Sequence, residues 1–226
     1  MNNFVLLYGE IVDKPVCTSI DRNGAAFYRF MLAVKRKSNT VDTLPISIKS
    51  GTTAYDNMIK AFAAGESLVG KKVLIGGNVR TRNAKGRVKL FVRAVSMINA
   101  YAGYTGIDNL VIITGNICRG VPTRQTPSGR LIADLIVAVS RHDSELVSDY
   151  VPTIMWDRVA KKANSELHTG DCIDIVGRLQ SRRYVKRIGS RKEIRTCYEL
   201  SVDRYGLNTS EKEGGEQEDE LTVSSL

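Results

Sequence analysis

Short runs of alternating apolar and polar residues, broken by glycine turns, recur along the whole chain. The clearest runs are Phe27–Val34 and Ile132–Val139, and each follows a turn glycine, Gly24 or Gly129. Alternation with a period of two over such short runs is typical of half-buried β-strands. Apolar spacing typical of helices is confined to two brief stretches. The pattern therefore predicts a β-rich fold.

The two halves of the chain repeat the same order of elements. Gly24 and Gly129 are 105 residues apart, and so are Val34 and Val139. Each half continues with a proline followed closely by isoleucine, Pro45-Ile46-Ser47-Ile48 or Pro152-Thr153-Ile154. After it come a short helix, a glycine turn, a strand, a basic hairpin and a final strand. The predicted helices are Ala54–Ala64 and Arg158–Leu167. Such a repeat predicts two similar domains. One helix between the third and fourth strands is the order of the OB-fold, a five-stranded Greek-key barrel.

We therefore predict an all-β protein with short helices, built from two tandem OB-fold barrels. The first barrel is expected at residues 1–100 and the second at 109–206, joined by a glycine-containing linker at 101–108. Residues 207–226 are acidic and poor in apolar residues, so we expect this tail to be disordered.

Charge is distributed unevenly between the barrels and the tail. The tail holds six acidic residues and one lysine, a net of −5, within a chain of net charge +9. The preceding residues therefore carry +14, which favours a polyanionic ligand for the barrels. The alternative is that the surface lysines and arginines only aid solubility.

Several function classes find no support in the sequence. The motifs of nucleotide-binding enzymes, zinc proteases and serine hydrolases are absent, so we predict that the protein is not an enzyme. The four cysteines are widely spaced and the two histidines are remote from them, so we predict no metal and no cofactor. We interpret the cysteines as reduced core residues. No apolar run could cross a bilayer and the N-terminus lacks signal-peptide features, so we expect a cytoplasmic protein without membrane contact.

The strongest candidate for ligand contact is the basic hairpin Gly177–Arg195. Binding a single strand without reading its sequence needs cations for the phosphates and flat side chains for the bases. This hairpin supplies eight basic residues against one acid, with a tyrosine among them and Gly189-Ser190 at its turn. Its candidate residues are Arg178, Arg182, Arg183, Tyr184, Lys186 and Arg187. The alternative is a solvated, charged hairpin with a partly exposed tyrosine.

Three separated blocks of the second half resemble the bacterial single-stranded DNA-binding proteins. They are VPTRQTPSGRLIADLIVAVSR from Val121, VPTIMWDRVAKKA from Val151 and TGDCIDIVGRLQSRRY from Thr169. The first half is similar only in outline, and the whole looks like the tandem-barrel members of that family. The resemblance implies a sequence-tolerant binder of single-stranded DNA in replication, recombination and repair. It also implies a homodimer, which would bring four barrels together.

The resemblance places Trp156 and Tyr184 at base-stacking positions. Trp156 has the alternative of being a core or interface residue. Flanking arginines that could line the same groove are Arg124, Arg130 and Arg141. In the family an acidic tail recruits replication and repair proteins through a Pro-Phe tip. This tail ends without that tip, which puts recruitment in doubt.

The first barrel is predicted to contribute less than the second. It has Lys49 at the place of Trp156 and Ala84 at the place of Tyr184. Its candidate phosphate contacts are Lys49, Arg80, Arg82, Lys85 and Arg87. Two alternatives remain open for the whole protein: an OB protein that binds RNA, and an assembly module that binds no nucleic acid.

Overall fold

A computed structural model describes residues 2–84, 86–101, 103–141, 144–189 and 191–208 of the chain. Lys85 and nearly all of the acidic tail lie outside these residues, so the predictions that concern them are not addressed by the structure. Within the described ranges neither helix is long and apolar enough to span a membrane.

Two β-barrels follow each other along the chain, each with one helix. The elements of the first are β1 (Asn3–Ile11), β2 (Val16–Ile20), β3 (Ala26–Lys35), β4 (Val41–Lys49), α1 (Thr53–Ala63), β5 (Lys72–Ala84) and β6 (Arg87–Asn99). Those of the second are β7 (Asn109–Ile117), β8 (Thr123–Gln125), β9 (Leu131–Arg141), β10 (Ser144–Trp156), α2 (Asp157–Glu166), β11 (Cys172–Ile188) and β12 (Arg191–Leu207). The short strands β2 and β8 extend the barrels as edge hairpins.

Five strands close each barrel in the order of an OB-fold. In the first barrel β1 pairs antiparallel with both β3 and β5, and β4 pairs parallel with β6. The second barrel repeats this with β7, β9, β11, β10 and β12. Alternate residues of each strand face an apolar core, as the pattern of Val5, Leu7 and Ile11 along β1 shows. The predicted fold class is confirmed.

Glycines occupy two points in each barrel where the neighbouring backbone leaves no room for a Cβ. A Cβ at Gly9 would lie 2.4 Å from the carbonyl oxygen of Ala33, at the place where β1 leaves β5 for β3. A Cβ at Gly77 would lie 2.1 Å from the carbonyl oxygen of Arg93, beside an irregularity in the β5–β6 register. Any larger residue would force these backbones apart, which explains the glycines seen in the repeat.

The barrels join through one strand pair that lies on an approximate two-fold axis. β1 pairs antiparallel with β7, and Val5 lies opposite Val111, its counterpart in the repeat. The pairing makes one continuous twelve-stranded sheet. The side chain of Asn3 exchanges two hydrogen bonds with the backbone of Val79, at 3.0 and 2.8 Å. Asn109 does the same with Leu179, at 2.8 and 2.9 Å.

Candidate nucleic-acid interface

The β11–β12 hairpin extends beyond the body of the second barrel as the sequence predicts. Its strands pair continuously from Gly177 to Ile188, and Gly189 adopts a positive φ of 58° at the turn. Burial ends near Gln180, because the strands beyond that point no longer cover a core. Basic side chains therefore stand in solvent along this arm. Those exposed on β11 are Arg182, Arg183, Lys186 and Arg187.

Tyr184 lies in the middle of this arm with its ring available for contact. The side chain is 37% exposed. Alternation along β11 puts it on the same face as Arg182, whose guanidinium carbon lies 6.0 Å from the ring centroid. Tyr184 is paired across the hairpin with Arg195. A flat ring between two guanidinium groups suits a base flanked by phosphates.

Trp156 ends β10 and is the N-cap residue of α2, at a turn with unusual backbone geometry. Asp157, the next residue, has a φ of 47°, in a region where aspartate is tolerated better than most residues. Its carboxylate accepts hydrogen bonds from Arg130 at 2.6 and 3.0 Å. That pairing holds the Arg130 guanidinium 4.4 Å from the centroid of the half-buried Trp156 ring. The turn therefore fixes an indole and an arginine together at the barrel surface.

A basic cavity of about 430 Å³ opens beside Trp156. Arg130, Arg178 and Arg182 line it from the second barrel, and Arg36 reaches it from the first. Burial and repulsion from the nearby Arg36 charge lower the pKa of Arg178, and Asp203, which also lines the cavity, and Asp42 offset part of this shift. An anion such as a phosphate would relieve that repulsion. The sequence analysis did not identify Arg36, because its role depends on contact between barrels.

Acidic neighbours limit the charge that several predicted arginines can offer. Arg124 donates a hydrogen bond to Asp134 at 2.7 Å, and this pair is exposed. Arg182 lies 3.4 Å from a carboxylate oxygen of the buried Glu199. Because these carboxylates already neutralise part of the charge, the arginines on the barrel face act with less net charge than the sequence count suggests.

The structure places Arg141, a predicted groove residue, and Arg80, a predicted phosphate contact, in the contact between the barrels. Both pair with Asp149, whose side chain is fully buried: Arg141 at 2.8 Å and Arg80 at 3.1 Å. The carboxylate also accepts a hydrogen bond from the backbone N–H of Thr81 at 2.6 Å. These guanidiniums therefore hold β5 of one barrel against β10 of the other, and their predicted contact with nucleic acid is not tested by the structure. Sequence could not reveal this, because Asp149 lies 69 residues from Arg80.

The same contact recurs at the other side of the two-fold axis. Asp42 accepts two hydrogen bonds from Arg36, both at 2.6 Å, and one from the backbone N–H of Ser181 at 2.7 Å. Burial alone would raise the pKa of Asp42 and of Asp149. The hydrogen bonds from arginine and backbone outweigh it, so the pKa of each carboxyl lies below its ordinary value. Both aspartates are therefore charged anchors of the interface.

The remaining candidates of the first barrel lie on its surface. Arg82 and Arg87 are exposed on β5 and β6, close to the turn of their hairpin. Lys49 ends β4, and its ammonium group lies 6.0 Å from the ring centroid of Phe27. Lys49 thus occupies the place of Trp156, as predicted, but with an aromatic ring on the neighbouring strand. The structure does not test whether these residues contact nucleic acid.

Tyr150 is a further exposed aromatic that the sequence analysis missed. It lies on β10 six residues before Trp156, so period-two alternation puts both on one face of the strand. Its side chain is 52% exposed. The even number of residues between Tyr150 and Trp156 was the sequence signal that could have identified it.

Two of the four cysteines do not occupy the predicted core positions. Cys172 is buried, but Cys17 and Cys118 are exposed, because they lie at or beyond strand edges. Over the part of the chain that the structure describes, no three His, Cys, Asp or Glu side chains cluster as metal ligands would.

Comparison with known proteins gives a consistent result. Residues 108–207 match the single-strand binding protein family. A single-stranded DNA-binding protein of Streptococcus pyogenes is 32% identical over 89 residues, which are 38% of this chain and 68% of that protein. One from Halalkalibacterium halodurans is 27% identical over 115 residues, 49% of this chain and 68% of that protein. The crystal structure of the single-stranded DNA-binding protein from Thermus aquaticus has a similar fold, with a TM-score of 0.68 and 20% identity. That similarity covers 92% of this chain and 93% of the other, so it extends to both barrels.

Proposed function

The chain belongs to the single-strand binding protein family, and on that premise we propose that it holds single-stranded DNA mainly on the second barrel, between Trp156 and the β11–β12 hairpin. The protein binds single-stranded DNA, acts in replication, recombination and repair, and is not an enzyme. The observation that carries the site is the basic cavity beside Trp156, where an indole and four arginines from both barrels face one opening.

The binding chemistry follows from the two kinds of group in this site. Trp156 and Tyr184 offer flat faces on which bases stack, and stacking tolerates any sequence because every base has a π-face. The phosphates bind to Arg178 and Arg182 at the cavity, and to Arg183, Lys186 and Arg187 along the hairpin. Arg130 already covers one face of the indole, so a base takes the other face or displaces the guanidinium.

Substitution of the two aromatics tests this site. We expect Trp156→Ala and Tyr184→Ala each to weaken binding of fluorescein-labelled oligo-dT by about fivefold to a hundredfold, because each removes one stacked base worth roughly 1–3 kcal/mol. Tyr101→Ala is the matched control, since that tyrosine is 70% exposed on the connection between the barrels. Fluorescence anisotropy measures the affinity and circular dichroism verifies the fold. If both variants bind as well as the Tyr101→Ala protein, the site lies elsewhere.

We also propose that two chains associate through the outer face of the central strands. Leu6 lies opposite Leu110 and Phe4 opposite Ile112, so apolar side chains flank the two-fold axis on the side away from the core. Phe4 is 44% exposed, and the others are half-buried. Pairing two such faces would bury them and bring four barrels together. Sedimentation equilibrium should give a dimer for the natural chain at micromolar concentration and a weaker one for Phe4→Lys; a monomeric natural chain would refute the proposal.

The acidic tail is proposed to compete weakly with DNA for the basic surfaces, and to be available to replication and repair proteins of the cytoplasm. Six acids on one tail act at low salt, where screening is weak. β12 ends at Leu207, and the backbone N–H of Asn208 still donates a hydrogen bond to Cys172. Deletion of residues 209–226 therefore spares the barrel. It should tighten oligo-dT binding modestly at low salt; looser binding would contradict the competition.

A further inference from the structure

Arg36 and Asp42 of the first barrel form a pair that holds the base of the β11–β12 hairpin. The Arg36 guanidinium donates hydrogen bonds to both carboxylate oxygens of Asp42, through Nε and Nη2, each at 2.6 Å. Asp42 also accepts two hydrogen bonds from Ser181, one from the backbone N–H at 2.7 Å and one from the hydroxyl at 3.0 Å. Ser181 lies on β11, where the burial of the second barrel ends. The first barrel therefore holds the root of the arm that carries Tyr184.

The same guanidinium reaches the cavity beside Trp156. Arg36 lines that cavity together with Ser181 and Trp156. The Arg36 side chain is 24% exposed, whereas that of Asp42 is 1% exposed. Nη1, the other terminal nitrogen of Arg36, has no hydrogen-bond partner among the residues that the structure describes. Arg36 thus keeps two nitrogens on Asp42 and has a third nitrogen available to a ligand in the cavity.

An anion is the ligand that suits this nitrogen. Arg130, Arg178 and Arg182 line the same cavity, and the one carboxylate that lines it, that of Asp203, offsets only part of their charge. Guanidinium groups bind phosphate through charge-assisted hydrogen bonds. A phosphate of a strand on the second barrel would therefore lie among four guanidinium groups, and one of them, that of Arg36, belongs to the other barrel.

The buried pair decides how Arg36 takes a phosphate. The phosphate could pull the guanidinium away from Asp42, or it could share the guanidinium with Asp42. Breaking the pair leaves a buried carboxylate without its partner, which costs far more free energy than a solvent-exposed contact with a phosphate returns. A guanidinium has five N–H donors in one plane, so it can serve two anions at once. Sharing is therefore favoured, with Arg36 between the strand and Asp42.

We propose that Arg36 is a bridging residue, which contacts a phosphate of the strand bound to the second barrel while it remains paired with Asp42, so that strand binding tightens the contact between the barrels on this side. This inference rests on the proposed function of the second barrel and couples two places, the cavity beside Trp156 and the contact at Ser181. Coupling is reciprocal, so a strand that binds more tightly when the contact is closed also keeps the contact closed. Asp42 is a positioning residue, because it acts on the strand only through Arg36.

The opposite contact between the barrels supplies an internal control. There the buried Asp149 accepts a hydrogen bond from the backbone N–H of Thr81 at 2.6 Å. The arginines paired with this aspartate, Arg80 and Arg141, are not among the described residues that line the cavity beside Trp156. A strand bound in that cavity should therefore stabilise the first contact and leave the opposite contact unchanged.

Hydrogen–deuterium exchange of the full chain, resolved to single amides, tests the bridge. The amides of Ser181 and Thr81 each donate to the buried aspartate of their own contact, so each exchanges when that contact opens. Saturating oligo-dT of about 15 nucleotides should slow exchange at Ser181 by about fivefold or more, which is the lower end of the usual coupling between two sites. Exchange at Thr81 should change by less than about twofold, because no coupling reaches that contact.

Two variants distinguish the bridge from simple shielding of Ser181 by the bound strand. Arg36→Gln removes the guanidinium, so oligo-dT should bind about fivefold more weakly in fluorescence anisotropy, and at saturation it should no longer slow exchange at Ser181. Arg36→Lys serves if the glutamine variant fails to fold. Its ammonium lacks the planar fork of a guanidinium, so Asp42 and the phosphate compete for it and the slowing at Ser181 should again vanish.

The outcomes separate the bridge from the proposed function. The bridge is overturned, with the proposed function left standing, if oligo-dT binds but slows exchange equally at Ser181 and Thr81, or at neither amide. Slowing at Ser181 that persists in the folded Arg36 variants at saturation overturns it as well, because shielding alone then explains the effect. Absence of oligo-dT binding by the natural chain overturns both.

Discussion

The buried carboxylate of Asp149 offers the sharpest test of how the two barrels are held together. Asp149→Asn keeps the shape of the side chain but removes its charge, and it leaves Arg80 and Arg141 facing a neutral amide. Breaking a buried ion pair by removing one partner costs about 3–5 kcal/mol. The arginines are 14% and 29% exposed, so they regain some hydration and we expect the lower end, about 3 kcal/mol. A domain of ordinary stability has roughly 5–15 kcal/mol in total.

Chemical unfolding of the full chain measures this loss. Trp156 fluorescence follows the second barrel, and far-ultraviolet circular dichroism follows both. Asp134→Asn is the matched control, because it removes an exposed aspartate that also pairs with an arginine, and surface pairs contribute about 0–1 kcal/mol. If the interface couples the barrels, the two probes should also separate in Asp149→Asn, giving two transitions where the natural chain gives one. An Asp149→Asn protein no less stable than Asp134→Asn would refute the assignment of Asp149 to the interface.

Three further outcomes follow from the same structure. The pKa values of Asp42 and Asp149 are depressed, so the folded state binds fewer protons than the unfolded one. The stability that these carboxylates contribute should be complete above the ordinary carboxyl pKa of about 3.9 and lost as the pH falls below it. Denaturation at a series of pH values should show a smaller loss of stability in acid for Asp42→Asn than for the natural chain. Gly177→Ala should lower the free energy of unfolding by about 1–3 kcal/mol, because its Cβ would lie 2.2 Å from the Ser201 carbonyl oxygen. Gly206→Ala is the control: its Cβ would meet open space, so the free energy of unfolding should change by less than about 0.5 kcal/mol. Oligo-dT affinity should fall with salt, with a log–log slope of about −0.7 for each phosphate neutralised, and Arg183→Ala/Lys186→Ala should make the slope shallower.

Spacing and alternation were sufficient to predict most of the fold. The 105-residue repeat predicted two barrels, and α1 and α2 begin within one residue of their predicted starts. The turn glycine of the long hairpin was also predicted. The edge strands β2 and β8 were not, because they are short and exposed along their whole length, so they leave no alternating pattern.

The candidate site was predictable only where its residues are close in sequence. The charged hairpin and Trp156 are visible in the chain, but the partners of the arginines are not. Arg141 was predicted to line the groove and Arg80 to contact phosphates, because charge alone does not reveal that a buried aspartate at the contact between the barrels pairs with both.

The cluster that Phe27, Arg29, Phe91 and Arg93 form on the face of the first barrel was missed for a different reason. Comparing the halves at Lys49 and Ala84 examined only the places of Trp156 and Tyr184. A Phe-x-Arg pattern occurs on both β3 and β6, and it would have directed attention to that face. Only strand order shows that the two patterns are neighbours.

Titration of Trp156 fluorescence in the natural chain tests the central claim most directly. Oligo-dT, oligo-rU and a duplex of equal length are compared at low and at physiological salt, so that single-strand binding, sugar preference and charge dependence are read from one signal. We predict strong quenching by oligo-dT that weakens as salt rises, with little quenching by the duplex, whose bases cannot stack on the indole. Absence of quenching by oligo-dT at either salt, or equal quenching by the duplex, would contradict the account.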